Sequence, residues 1–192
     1  MNICVYCGSN PGKTSQYTEN VTELAQVLSG AGHDLIYGGG SLGLMRVMAD
    51  EMLKSGRHVT GVMPKGLFRS EMVHQGLSEL IEVHSMPERK AEMIRLSDAF
   101  IALPGGFGTL EEISEVLSYA QLGLHQKPIA FFNINGFYDP LITWVKQAIQ
   151  EGFIHAGQDR LFINTASPLK LVEQLANYQQ PEKVNKWQEL EA

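Results

Sequence analysis

The residues best suited to chemistry lie in two short stretches. The first reads PGGFGTLEE and spans residues 104–112. Gly105, Gly106 and Gly108 free the backbone to curl, and Thr109 is expected to cap the helix that follows. Unpaired amides and the helix dipole would then converge on one spot, which suits a phosphate. A plain strand-to-helix turn is the simpler reading, but few such turns use three glycines. Glu111 and Glu112 are expected in the first turn, where ionised carboxylates complement the dipole. A negative charge beside a phosphate site needs a further reason. A cationic transition state supplies one, because breaking an N-glycosidic bond builds positive charge on the sugar ring. A fixed carboxylate stabilises that charge and can orient water.

The second stretch, PERKAEM, spans residues 87–93 and supplies the opposite sign. Ala91 and Ile94 are expected to form its buried stripe, which turns Arg89, Lys90 and Met93 elsewhere. Arg89 can grip a phosphate or carboxylate with its planar fork. It is unsuited to act as the acid, because a guanidinium does not give up its proton.

Other candidate motifs are weaker. GSNPGKT, residues 8–14, falls one residue short of a P-loop between its glycines. GGGSLG places Gly38, Gly40 and Gly43 in G-x-G-x-x-G spacing after a strand. The next strand ends in GVMPK without the acid that a dinucleotide ribose wants. We therefore read Gly8, Gly39, Gly40 and Gly43 as glycines on the edge of a phosphate site rather than a dinucleotide fingerprint. Cys4 and Cys7 form a C-x-x-C pair inside an apolar run. On a strand they point to opposite faces, as buried inert thiols. The six histidines show no ligand spacing, so no metal is expected.

These residues must be positioned by a regular scaffold. NICVYC, HDLIYG, HVTGVMP, LIEVHS, AFIALP, KPIAFFN and LFINTAS read as short, nearly continuous apolar strands. Helical patterns separate them, such as Val21, Leu24, Ala25 and Leu28, or Leu110, Ile113, Leu117 and Ala120. This alternation predicts an α/β, Rossmann-like, doubly wound and mostly parallel sheet with helices on both faces. One domain over residues 1–178 is expected, followed by a polar tail at 179–192. The stretch from Lys65 to Gly76 gives no clear pattern. The loops CGSN, GGGSLG, MPKG and PGGFGT would all open at the carboxyl ends of the strands, where such sheets bind ligands.

Composition narrows the partners. The chain has 192 residues, 44% hydrophobic and 19% charged, as ordinary soluble proteins have. No run approaches a membrane span, and the start lacks a basic leader, so a cytoplasmic protein without membrane contact is expected. A formal charge of −6 argues against nucleic acid as partner. A small anionic ligand needs only a few local cations.

Taken together, PGGFGTLEE, PERKAEM, VYCGSN and YGGGSLGLM resemble the "lonely guy" family, the cytokinin riboside 5′-monophosphate phosphoribohydrolases. The likeness runs from about Asn2 to Ala176. It implies a Rossmann-like homodimer that hydrolyses an N6-modified adenosine 5′-monophosphate to free base and ribose 5-phosphate, without a cofactor. It also implies Arg89 and Glu112 as catalytic residues. Glu71, Lys90, Gly105, Gly106, Gly108, Thr109 and Glu111 would then bind substrate. Met93, beside the Arg-Lys pair, is a candidate to line a pocket for an apolar N6 group. Two alternatives stay open: a nucleotide or cofactor carrier on the same scaffold, and a lysine decarboxylase using pyridoxal phosphate. For the latter, no lysine stands out as a Schiff-base former.

Overall fold

A computed structural model describes residues 1–66 and 72–181. Seven parallel strands form one sheet in the order β4-β3-β2-β1-β5-β6-β7. They are β1 (Asn2–Tyr6), β2 (Asp34–Tyr37), β3 (Val59–Pro64), β4 (Glu79–Val83), β5 (Ala99–Ala102), β6 (Ile129–Phe132) and β7 (Ile163–Thr165). Between and after them run α1 (Ser15–Gly30), α2 (Gly43–Lys54), α3 (Met86–Leu96), α4 (Phe107–Gln121), α5 (Asp139–Gln150) and α6 (Pro168–Ala176). The expected doubly wound α/β fold is therefore present, with every strand pair parallel.

Strand alternation divides the core into two layers. Ile3, Val5 and Cys7 face one side with α1, α2 and α6. Cys4 and Tyr6 face the other with Met93 of α3 and Ile113, Val116 and Ala120 of α4. The two thiols thus lie on opposite faces, as expected. Burial pushes the Cys4 thiol up to about 12 and the Cys7 thiol higher still, so both are inert at neutral pH.

The strand order reverses direction beside β1, so the loops after β1 and β5 part at a crevice. Close backbone packing shapes that crevice. The Gly8 amide donates to the Pro104 carbonyl at 3.1 Å, and the Leu44 amide donates to the Gly8 carbonyl at 3.1 Å. Gly43 has φ +57°, and a Cβ there would run into the Ser9 backbone. Segment 72–74 crosses the loop after β2: the Ser41 amide donates to Met72 O, and the His74 amide to Gly39 O, both at 2.9 Å.

Two expected helix faces differ from the structure. In α3 the buried residues are Arg89 and Met93, whereas Ala91 is exposed and Ile94 half-buried. In α4 the buried set is Thr109, Glu112, Ile113, Val116 and Ala120, whereas Leu110 is exposed. Ile113 and Ala120 are buried as expected and Leu117 packs against the core, but in both helices charged side chains also face inward at a polar site, which counting apolar residues alone does not show. Beyond α6, Tyr178 donates to Leu161 O at 3.0 Å and Gln180 Nε2 to Ala120 O at 3.1 Å, so the first residues of the polar tail are tied down. Among the described residues, no helix is long and apolar enough to cross a membrane.

Gly43→Ala should test the crevice directly. A side chain there is strained by φ and blocked by backbone, so a stability loss of ~1–3 kcal/mol is expected in urea denaturation. Gly30→Ala, with open space around its Cβ, should cost nothing.

Candidate functional site

The site begins with how α3 and α4 start. Ser85 caps α3: its Oγ accepts from the Glu88 amide at 3.3 Å, and Glu88 Oε2 accepts from the His84 amide at 2.7 Å. This reciprocal cap, with Pro87 inside the first turn, sets where Arg89 emerges. The opposite holds in α4. Its N-cap is Gly106, no side chain caps it, and no acid occupies its first turn. The amides of that turn have no partner within the helix. Thr109 is therefore not the cap that its position suggested. It is the third helical residue, it is buried, and it packs against Gly105, where a Cβ would collide with its hydroxyl. Glu111 and Glu112 accordingly fall in the second turn.

Arg89 and Glu112 meet inside the protein. Arg89 Nη1 donates to Glu112 Oε1 at 2.6 Å, with side-chain exposures of 10% and 11%. Arg89 Nε donates to the Val62 carbonyl at 2.9 Å. The guanidinium passes over Gly38, where any Cβ would strike Nη2. Burial raises the Glu112 carboxyl above the ordinary glutamate value, and the Arg89 charge opposes that rise.

The pair forms one wall of a cleft of about 390 Å³. Gly106, Phe107, Gly108 and Thr109 supply the uncapped helix start on a second side, and Gly8, Ser9, Gly38 and Gly40 a third. Met45, Met63, Met72 and Met86 with Leu42 make the apolar remainder. A cavity with an anion-binding end, a buried ion pair and an apolar end can hold a phosphorylated ligand with a flat or greasy part.

The expected site residues separate into three groups. Arg89, Glu112, Gly106, Gly108, Thr109, Gly8 and Gly40 line the cleft. Gly105, Gly39 and Gly43 act one layer behind it through backbone packing. Gly105 abuts Thr109 and the Gly8 amide, and Gly39, with φ +78°, lies against Gly61 and Met63. Lys90 and Glu111 are bound to each other beside the cleft and are absent from its lining. Glu111 and then Glu115 hold the Lys90 ammonium above the ordinary lysine value. Glu71 lies outside the described residues. Met93, proposed for a pocket, is fully buried in the core. The methionines that do line the cleft are spread over α2, β3, the segment after it and α3, so no local pattern links them. Val62 O was also missed, because a backbone carbonyl carries no mark in sequence.

On the far side of Gly8 and Gly106 lies a second concavity of about 540 Å³, bounded by Asn10, Lys13, Gln16 and Phe137. Its GSNPGKT loop is held by Gly12, with φ +83°, against the Tyr17 ring. Among the described residues, no group of three or more histidine, cysteine or acidic side chains could hold a metal.

Removing Arg89 should strand a buried carboxylate. Arg89→Met is expected to lose about 3 kcal/mol at pH 7, read by urea denaturation. With the arginine gone, the Glu112 pKa in the folded state rises further above its unfolded value. The native state then binds the extra proton, so the deficit should shrink as pH falls through that raised value.

Residues 45–175 match the family model described as possible lysine decarboxylase. The cytokinin riboside 5′-monophosphate phosphoribohydrolase LOG of Oryza sativa subsp. japonica is 47% identical over 176 residues, covering 92% of this chain and 73% of its own length. An enzyme of Arabidopsis thaliana with the same description is 44% identical, covering 92% of this chain and 77% of its own. Among solved structures, a molybdenum cofactor carrier protein from Chlamydomonas reinhardtii superposes with a TM-score of 0.70 at 20% identity, covering 92% of this chain and 98% of that one. The molybdenum cofactor binding protein from Rippkaea orientalis gives the same score at 20% identity, covering 92% and 95%. At that identity the likeness speaks for the fold alone. The chain belongs to the family of possible lysine decarboxylases that includes the cytokinin riboside 5′-monophosphate phosphoribohydrolases of rice and Arabidopsis.

Proposed function

We propose that this protein hydrolyses the N-glycosidic bond of an N6-modified adenosine 5′-monophosphate, releasing the free base and ribose 5-phosphate. The observation that carries this reading is the buried Arg89–Glu112 pair on the wall of the same cleft as the uncapped start of α4. The phosphate sits on the amides of Phe107, Gly108 and Thr109, where the helix dipole favours an anion. Glu112 lies three residues further, ~4.5 Å of helix rise from Thr109. Its carboxylate thus faces the ribose of a nucleotide anchored by its phosphate. As the bond to C1′ breaks, the electron pair leaves with the base, which takes up a proton from water, and Glu112 stabilises the cationic ring. Water then bonds to C1′, with Glu112 placed to orient it and accept its proton. Arg89 contributes by keeping Glu112 ionised and aimed, held itself by Val62 O. The methionine wall accommodates an apolar N6 substituent, since its flexible thioethers fit irregular shapes.

A decarboxylase would hold pyridoxal phosphate through a lysine. Among the described residues no lysine belongs to the cleft lining, and the nearest in sequence, Lys90, is tied to Glu111 and Glu115. The residues present do not fit that cofactor. A carrier function has no comparable support, because a pure binding pocket gains nothing from a buried carboxylate near an anion cradle.

We also propose that the protein works as a cytoplasmic homodimer. The α5 helix buries only Ala148 among its residues, while Trp144, Phe153, Leu122 and Leu124 stand exposed along the α4–α5 side. A second copy is the partner that would cover them.

Glu112→Gln should keep nucleotide affinity within about threefold and lose at least ~10²-fold in base release. The assay offers adenosine 5′-monophosphate and its isopentenyl derivative and measures free base. Normal turnover in this variant would remove Glu112 from the reaction. In the unmodified protein, activity must fall as Glu112 takes a proton. The acid limb of kcat/KM should therefore lie above the ordinary glutamate value of 4.5.

A further inference from the structure

Two cations on α3 meet three carboxylates on α4. Arg89 takes Glu112, and Lys90 takes Glu111 and Glu115. Lys90 Nζ donates to Glu111 Oε1 and lies 3.2 Å from Glu115 Oε2. Glu111 and Glu115 are one turn apart and flank Glu112 on the helix. The Lys90 side chain is 15% exposed, while its partner Glu111 opens to solvent at 56%. Glu115 Oε2 is buried without a hydrogen bond, and the Lys90 charge is what offsets it, while Oε1 receives the Tyr119 hydroxyl at 3.3 Å. Meanwhile α3 packs over β1, β2 and β3 and α4 over β1 and β5. The sheet seats each helix, Met93 shares a core layer with Ile113 and Val116, and these charged side chains bridge the two helices at the cleft.

We infer that Lys90 is a positioning residue: by clamping Glu111 and Glu115 it sets the register of α3 against α4 that brings Arg89 to Glu112, and it does not contact substrate. This rests on the hydrolase reading for its consequence in turnover, and on geometry alone for its effect on Glu112. The clamp also has an electrostatic side. Glu112 is faced by Arg89 and Lys90 from α3, by Glu111 from its own helix, by Cys4 and Tyr6 from β1 and by Cys7 just after it, whose thiols and phenol are neutral. Among the described residues, removing Lys90 leaves Arg89 as the cation beside this cluster, so Glu112 should bind its proton more readily.

The test uses Lys90→Met, Lys90→Arg and the double variant Glu111→Gln/Glu115→Gln. In the free protein, the Glu112 carboxyl is titrated by ¹³C NMR. Its midpoint should rise in Lys90→Met and return towards the wild-type value in Lys90→Arg; an unchanged midpoint in Lys90→Met overturns the inference. In base release, Lys90→Met should lower kcat about tenfold or more with KM within about twofold, because a misplaced carboxylate slows chemistry rather than binding. A raised KM with kcat held would make Lys90 a substrate ligand instead. If Lys90→Met does not fold, the double variant decides. It leaves Lys90 free to reach a phosphate, so wild-type kcat overturns the inference and a comparable fall in kcat supports it. If the wild-type protein itself releases no base from either nucleotide, the hydrolase reading fails, and the carboxyl titration alone decides the role of Lys90.

Discussion

The structure turns on one interaction, the ion pair between Arg89 and Glu112 inside the protein. Two charges taken from water carry a desolvation cost of several kcal/mol, and their attraction repays it only with good geometry and full hydrogen bonding. A packed hydrophobic pair would hold α3 and α4 to the sheet at least as well. The pair therefore makes sense as something kept for chemistry. Its supports are of the same kind: a backbone carbonyl from β3 receives Arg89 Nε, and Gly38 leaves room for the guanidinium.

The anion cradle follows a parallel logic. The start of α4 forgoes a side-chain cap and an acid in its first turn, features that would ordinarily stabilise a helix by about a kcal/mol each. Gly105, Gly8 and Thr109 pack so closely that the turn is rigid without them. A donor array left unpaired at the mouth of a cleft is pre-organised for a ligand, which then completes the helix. Cradle and carboxylate share one helix, so their separation is fixed by helix geometry rather than by loop motion.

Much of this scaffold is legible in the chain itself. The inner strands β1, β2, β3, β5 and β6 are buried on both faces or nearly so, and each gives a short apolar run, whereas the edge strands β4 and β7 are partly exposed; α1 shows its stripe at Val21, Leu24, Ala25 and Leu28, all fully buried. The motif residues Arg89 and Glu112 are legible too, through their type and neighbours. Their surroundings are not. Hydrophobic periodicity scores an inward-facing arginine as surface, so Ala91 and Ile94 stood in for the true face of α3. A threonine after three glycines looks like a cap, yet the glycine backbone starts the helix earlier and leaves Thr109 inside it. Lys90 and Glu111 share the motifs of the buried Arg89–Glu112 pair, and only side-chain geometry shows that they bind each other beside the cleft rather than line it. The cleft methionines come from four separate segments that only the fold brings together.

The most direct measurement is the crystal structure of the Glu112→Gln protein with adenosine 5′-monophosphate bound. Phosphate oxygens are expected within hydrogen-bond distance of the Phe107, Gly108 and Thr109 amides, with C1′ turned towards residue 112. A phosphate seated instead beside Lys13 in the neighbouring concavity, or a ribose facing away from residue 112, would contradict this placement.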